Sequence, residues 1–216
     1  MKHFLLTTIL GLATCVAYSQ TKLYENPKFD ELTKDHKIIG IIPFKTTVKL
    51  RPKEMKDMPP EKLKKLETDE GNNLQAALYS WFLQREEQGK LWVKIQDIRV
   101  TNALLQKNGI TEENISAQTP VDIAKILGVD AVVSGDYETN KPMSEGAAVA
   151  LGVLVGFYGS TNKVVVNLFI HNGVDGQVLI NYHKGISGSI GSSSEGLVNI
   201  IMRKASRRIS YSKKDD

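Results

Sequence analysis

The chain has 216 residues, 41% of them apolar and 24% charged, and 28 basic residues against 24 acidic ones give a formal net charge of +4. That is the composition of one globular domain of mild basicity, and it argues against a nucleic-acid binder. The single cysteine, Cys15, lies near the start of the chain, so a disulfide framework, thiol catalysis and a cysteine metal site are excluded from everything that follows it.

Residues 1–19 open with Lys2 and His3, continue as a short Leu, Ile, Ala and Val run, and end in Ala17-Tyr18-Ser19. This is the order of a secretory signal peptide, and cleavage is expected after Ser19, with the mature protein exported to the periplasm or the outer-membrane periphery. A second reading stays open. Leu12-Ala13-Thr14-Cys15 is an imperfect lipobox with Thr14 at the small-residue position, and processing there would leave a lipid on Cys15.

Residues 20–37 are polar with scattered Tyr24, Phe29 and Leu32, and read as a lead-in arm. The β-branched run Ile38 to Phe44 predicts a buried strand ended by Pro43, as in the centre of a parallel sheet. Thr46 to Leu50 alternates weakly, and Arg51 to Met58 is charged and loop-like. From Pro60 onward, Leu63, Leu66, Leu74, Leu78, Trp81 and Phe82 fall on one helical face, with Gly71 weakening the middle and Gly89 ending it.

Leu91 to Ile95 predicts a second strand and Val100 to Lys107 a short helix stopped at Asn108-Gly109. Thr119-Pro120-Val121-Asp122 supplies a cap, a first-turn proline and an acidic residue for a helix closed by Gly128. Ala131 to Gly135 is the third strand. Lys163 to His171 and Gln177 to His183 alternate as a hairpin across Asn172 to Gly176. A capping box at Ser192 to Glu195 opens a last helix with Leu197, Ile201, Ala205 and Ile209 as its buried stripe. The order is β-α-β-α-α-β, then a β-hairpin and a C-terminal helix: an α/β fold, in the α+β sense of a mixed sheet with helices packed on it. One domain is expected over residues 38–211, with a charged tail at 212–216.

Three segments in order carry a resemblance: the strand Ile39 to Phe44, Trp92 to Ile95 followed by Asn102 to Ile110, and Ala124 to Gly135. Together with the hairpin Val166 to Ile180 they resemble the envelope proteins related to the curli secretion lipoprotein CsgG, the penicillin-binding-protein activator LpoB and the N-terminal domain of TolB. The resemblance implies an anticodon-binding-domain-like fold and a non-enzymatic, partner-binding role at the outer membrane. Of the two barrel-forming hairpins that build the curli channel, the first corresponds to residues 144–160 here. The second would fall at residues 185–194, a segment too short and polar to span.

Residues 146–159 are the most unusual stretch, too short to cross a bilayer as a hairpin or a helix. Gly146, Val149, Leu151, Gly152, Leu154, Val155, Gly156, Phe157 and Tyr158 are the candidate contact for a protein partner, a second copy or a membrane surface. The shortness of the segment favours an ordinary apolar helix or folded loop lying on the domain, with the contact surface as the functional reading. The Gly185 to Gly191 run lacks the Lys-Ser/Thr of a P-loop. His36, His171 and His183 have no metal-ligand spacing, although His171 and His183 border the hairpin and are placed to approach one another. No nucleophile elbow is present. The expectation is therefore a protein without catalytic, cofactor or metal residues. It binds a protein partner or assembles with itself in envelope biogenesis or export. A lipid-anchored secretion-channel subunit is the alternative, and an exported enzyme the third reading.

Overall fold

The computed structural model describes residues 21–50, 52–56, 58–140, 163–188 and 193–211. Residues 1–20, with Cys15 among them, and the segment 146–159 lie outside the described residues. Strands β1 (Thr21–Glu25), β2 (Ile38–Ile41), β3 (Lys45–Val48), β4 (Lys94–Ile95), β5 (Ala131–Thr139), β6 (Lys163–Asn172) and β7 (Val178–Ser187) form one mixed sheet in the order β1-β7-β6-β5-β2-β4, with β3 also on β5. β2, β3 and β4 run parallel to their neighbours, whereas β5, β6, β7 and β1 pair antiparallel.

The segment expected as a polar arm is instead structured. Thr21 to Glu25 pairs with Lys184 to Ile180, and the short helix α1 (Phe29–Thr33) buries Phe29 in the main core. The reason this escaped the sequence pattern is that an edge strand with four exposed residues carries no alternation. Another short helix, α2 (Pro52–Lys56), lies in the stretch read as loop.

Helix α3 (Pro60–Glu87) and the last helix, α6 (Ser194–Arg208), cover one sheet face. Leu74, Leu78 and Phe82 of α3, and Leu197, Ile201 and Ala205 of α6, pack there on Ile39, Val133, Leu168 and Tyr182. The sequence places α6 to within one residue: the cap is Ser193, which accepts from the Gly196 N–H at 3.1 Å, one position beyond the Ser192 to Glu195 box, and the stripe is buried through Ile209. On the other face lie α4 (Ile98–Lys107) and α5 (Pro120–Leu127), packed on Ile42 and Val132 through Leu105, Ile123 and Leu127. Thr119 caps α5 by accepting from the Asp122 N–H at 3.1 Å, and Gly128 ends it at φ +66°. That left-handed value is one glycine adopts without a Cβ penalty.

Between β2 and β3 the pairing with β5 shifts by one residue: Ile41 faces Val133, but Lys45 faces Asp136. The extra residue at Ile42-Pro43-Phe44 is a bulge, and α3 repairs what it breaks. Gln75 Nε2 donates to the Ile41 carbonyl at 2.6 Å and is itself steadied by Asn102. The Phe44 N–H donates to the Gly71 carbonyl at 3.3 Å. Gly71 is thus no weak point of the helix, which runs unbroken through it; a Cβ there would stand 2.2 Å from the Phe44 carbonyl oxygen. The glycine lets helix backbone touch strand backbone. The Phe44 ring lies in turn over Gly135, where a Cβ would come within 2.4 Å of it.

The chain end is pinned to its beginning. Tyr211 is buried between Phe29 and Trp92, with ring centroids at 5.1 and 5.0 Å, and its hydroxyl lies 2.6 Å from His36 Nδ1. Asp130 closes the same end by accepting from the Lys37 and Ile38 N–H groups at 2.6 and 2.9 Å.

Candidate functional site

α4 and α5 pack on the β2 side of the second face, with α5 reaching β5 and the end of β6, and the rest of that face toward β7 and β1 carries no closely packed helix among the described residues. Strand register arranges that face in cross-strand rows. Ser134, Phe169, Asn181 and Tyr24 form one row; Asp136, Asn167, His183 and Lys22 form the next; Glu138, Val165 and Gly185 form a third. Along β6 the alternation is strict: Val164, Val166, Leu168 and Ile170 are fully buried under α3 and α6, while Val165, Asn167, Phe169 and His171 are half-buried. The face is held in shape by Asn181, whose amide donates to Asn167 Oδ1 at 2.7 Å, and by the Phe169 and His171 rings stacked at 5.8 Å.

At the β2 end of this face, where the bulge parts β2 from β5, the sheet opens into a crevice of about 200 Å³ bounded by Pro43, Lys45, Ser116, Ser134, Asp136 and His171. Burial pulls the His171 imidazole below its ordinary value, and its Nδ1 has no hydrogen-bond partner among the described residues. His183 stands opposite Asn167, four residues along the ladder from His171, or roughly 14 Å at about 3.4 Å per residue. The two histidines therefore do not meet, which corrects the sequence expectation. No group of three His, Cys, Asp or Glu residues suited to a metal ion occurs among the described residues.

The rim of the face is the sheet edge. Among the described residues β1 pairs with β7 on one side only, and its Leu23 and Tyr24 are 43% and 48% exposed. At the far edge, β4 offers only two residues. A five-residue strand with a row of free N–H and C=O groups is a template for a further strand, whereas a two-residue one is not. Sequence reasoning missed this edge because it needs the pairing of residues more than 150 positions apart. The candidate contact residues Gly146, Val149, Leu151, Gly152, Leu154, Val155, Gly156, Phe157 and Tyr158 lie outside the described residues, in the connection from β5 to β6.

Among the described residues the geometry defines a mixed-sheet α/β protein with one face covered by α3 and α6, a second face covered by α4 and α5 at its β2 side, and β1 at a sheet edge. No family model matches the chain, and no curated protein does. Among solved structures it is similar to the PelC dodecamer from Paraburkholderia phytofirmans at 10% identity and a TM-score of 0.46, covering 91% of this chain and 99% of that one. It is similar to lipoprotein GNA1162 from Neisseria meningitidis at 16% identity and a TM-score of 0.42, covering 82% and 99%. The LpoB C-terminal domain from Salmonella enterica matches at 10% identity and a TM-score of 0.31, covering 74% and 93%. At these identities and scores the matches assign no family to the chain.

Proposed function

We propose that this chain is an exported, non-enzymatic protein of the cell envelope that binds an extended segment of a protein partner, or of a second copy, along β1 and the sheet face beside it. The observation that carries the reading is the β1 edge with exposed Leu23 and Tyr24, of which Tyr24 stands in one row with Asn181 and Phe169 across the sheet. Strand addition supplies main-chain hydrogen bonds for affinity, and the half-buried rows supply alternate side-chain contacts for selectivity. Envelope location rests on the signal-peptide pattern of residues 1–19.

Site-specific photo-crosslinking in the producing cells tests this. A crosslinker at Tyr24 or Phe169 should trap a discrete adduct, while one at Val174, which is 81% exposed on the β6–β7 turn, should not. Leu23→Lys should remove the Tyr24 adduct and leave the circular dichroism spectrum unchanged. Equal labelling at all three positions, or none at Tyr24 and Phe169, would sink the proposal.

A further inference from the structure

On the helix-covered face, next to the edge strand, a cluster of cations has no counter-charge among the described residues. Lys184 of β7 is only 3% exposed, faces Thr21 of β1 and Val166 of β6, and donates to the Thr21 hydroxyl. Above β7 packs α6, which carries Lys204 and Arg208 one helical turn apart. Burial already pushes the Lys184 ammonium below its ordinary value, and both of these cations push the same way. Among the described residues no carboxylate pairs with Lys184, Lys204 or Arg208.

A second group points to the same place. Tyr182, two residues before Lys184 on the same side of β7, is fully buried, and its hydroxyl has no hydrogen-bond partner among the described residues although Arg208 lies near enough to act on it. Buried hydroxyls are nearly always satisfied, and burying a charge without a partner is costly. Cations at the C-terminal turn of a helix are explained by its dipole. That explanation accounts for Arg208 alone; it leaves the buried Lys184 and the orphaned Tyr182 hydroxyl unexplained.

We infer that Lys184, Lys204, Arg208 and Tyr182 form a binding site for a phosphate-type oxyanion, either free or carried on a lipid headgroup. Such an ion accepts from the two lysine ammoniums, from the guanidinium in a forked pair and from the phenol, and it neutralises three cations now held together. The inference is independent of strand addition at β1, because it uses the opposite sheet face.

The test compares thermal unfolding of the chain beginning at Gln20 in sodium phosphate and in sodium chloride at equal pH and ionic strength. Phosphate should raise the midpoint by about 3 °C, a shift of the size a bound ligand gives a domain of this length. Lys204→Ser/Arg208→Ser alters exposed side chains only, so it should fold and should lose the phosphate increment. Tyr182→Phe should keep the chloride midpoint and reduce the increment. Flotation with vesicles of phosphatidylglycerol in phosphatidylcholine, against phosphatidylcholine alone, separates the sources: a phosphate increment with vesicle capture, both lost in the double variant, means a headgroup, and an increment without capture means a free oxyanion. No phosphate increment, an increment equal in parent and double variant, or vesicle capture with no increment would each overturn the site.

Discussion

Gly71→Ala sets helix propensity against packing, and the two predict opposite signs. In an exposed helix the change should stabilise by about 1 kcal/mol, since glycine is that much poorer a helix former than alanine. Here the new Cβ would stand 2.2 Å from the Phe44 carbonyl oxygen, which is backbone and has no rotamer to escape into. Relief requires α3 and the bulge to separate by about 1 Å. Overpacking of this kind costs typically 1–3 kcal/mol or somewhat more. Separation also stretches the Phe44 N–H to Gly71 carbonyl bond, already 3.3 Å, and a lost hydrogen bond costs roughly another 1 kcal/mol. With the propensity gain subtracted, the net is a destabilisation of about 2 kcal/mol, or a midpoint about 4–8 °C lower for a protein of this size. Thermal unfolding followed by circular dichroism, with urea titration for the free energy, measures it. A midpoint equal to or above the parent's would refute the argument that helix and bulge backbones are in contact.

Three further outcomes are expected. Asp130→Ala removes the carboxylate that accepts from the Lys37 and Ile38 N–H groups and should cost about 2–3 kcal/mol in urea unfolding. Thr119→Ala removes the α5 cap and should cost about 1 kcal/mol, with the helix content of the rest unchanged. The third concerns pH. Desolvation lowers the His36 imidazole against the opposing pull of Asp130, Asp35 and Asp175, and burial lowers His171. The unfolded chain then binds more protons below its histidine pKa of about 6.5, so stability is full above that pH and falls as pH drops through it. Midpoints measured from about pH 8 to about pH 5.5 should decline, and His36→Asn with His171→Asn should flatten the profile; an unchanged slope would show that carboxylates alone set it.

Local chemistry made some elements readable. α5 is written in Thr119-Pro120 and Gly128, and α6 in Ser193 and the Leu197, Ile201, Ala205, Ile209 stripe, because caps and helical periodicity need only neighbouring residues. The alternation in β6 was readable because one of its faces is buried under helices. Gly71 was misread because propensity sees a helix in isolation, while its role depends on Phe44, 27 positions away. β1 was misread because neither of its faces is buried, and only Lys184 to Ile180 make it a strand. The β1 edge, the cross-strand rows and the cation cluster are properties of pairing between distant segments, which no window along the chain contains.

The pairing of β1 with β7 has a consequence for order in time. Thr21 to Glu25 is made more than 150 residues ahead of its partner, Ile180 to Lys184. A ladder between such distant segments closes late, because the entropy of a loop that long is spent before any contact repays it. Tyr211 then locks the same end against Phe29 and His36 from a position still nearer the close of the chain. Until those residues arrive, β1 has no β7 to pair with, so this edge of the described sheet is completed only after Ile180 to Tyr211 has been made.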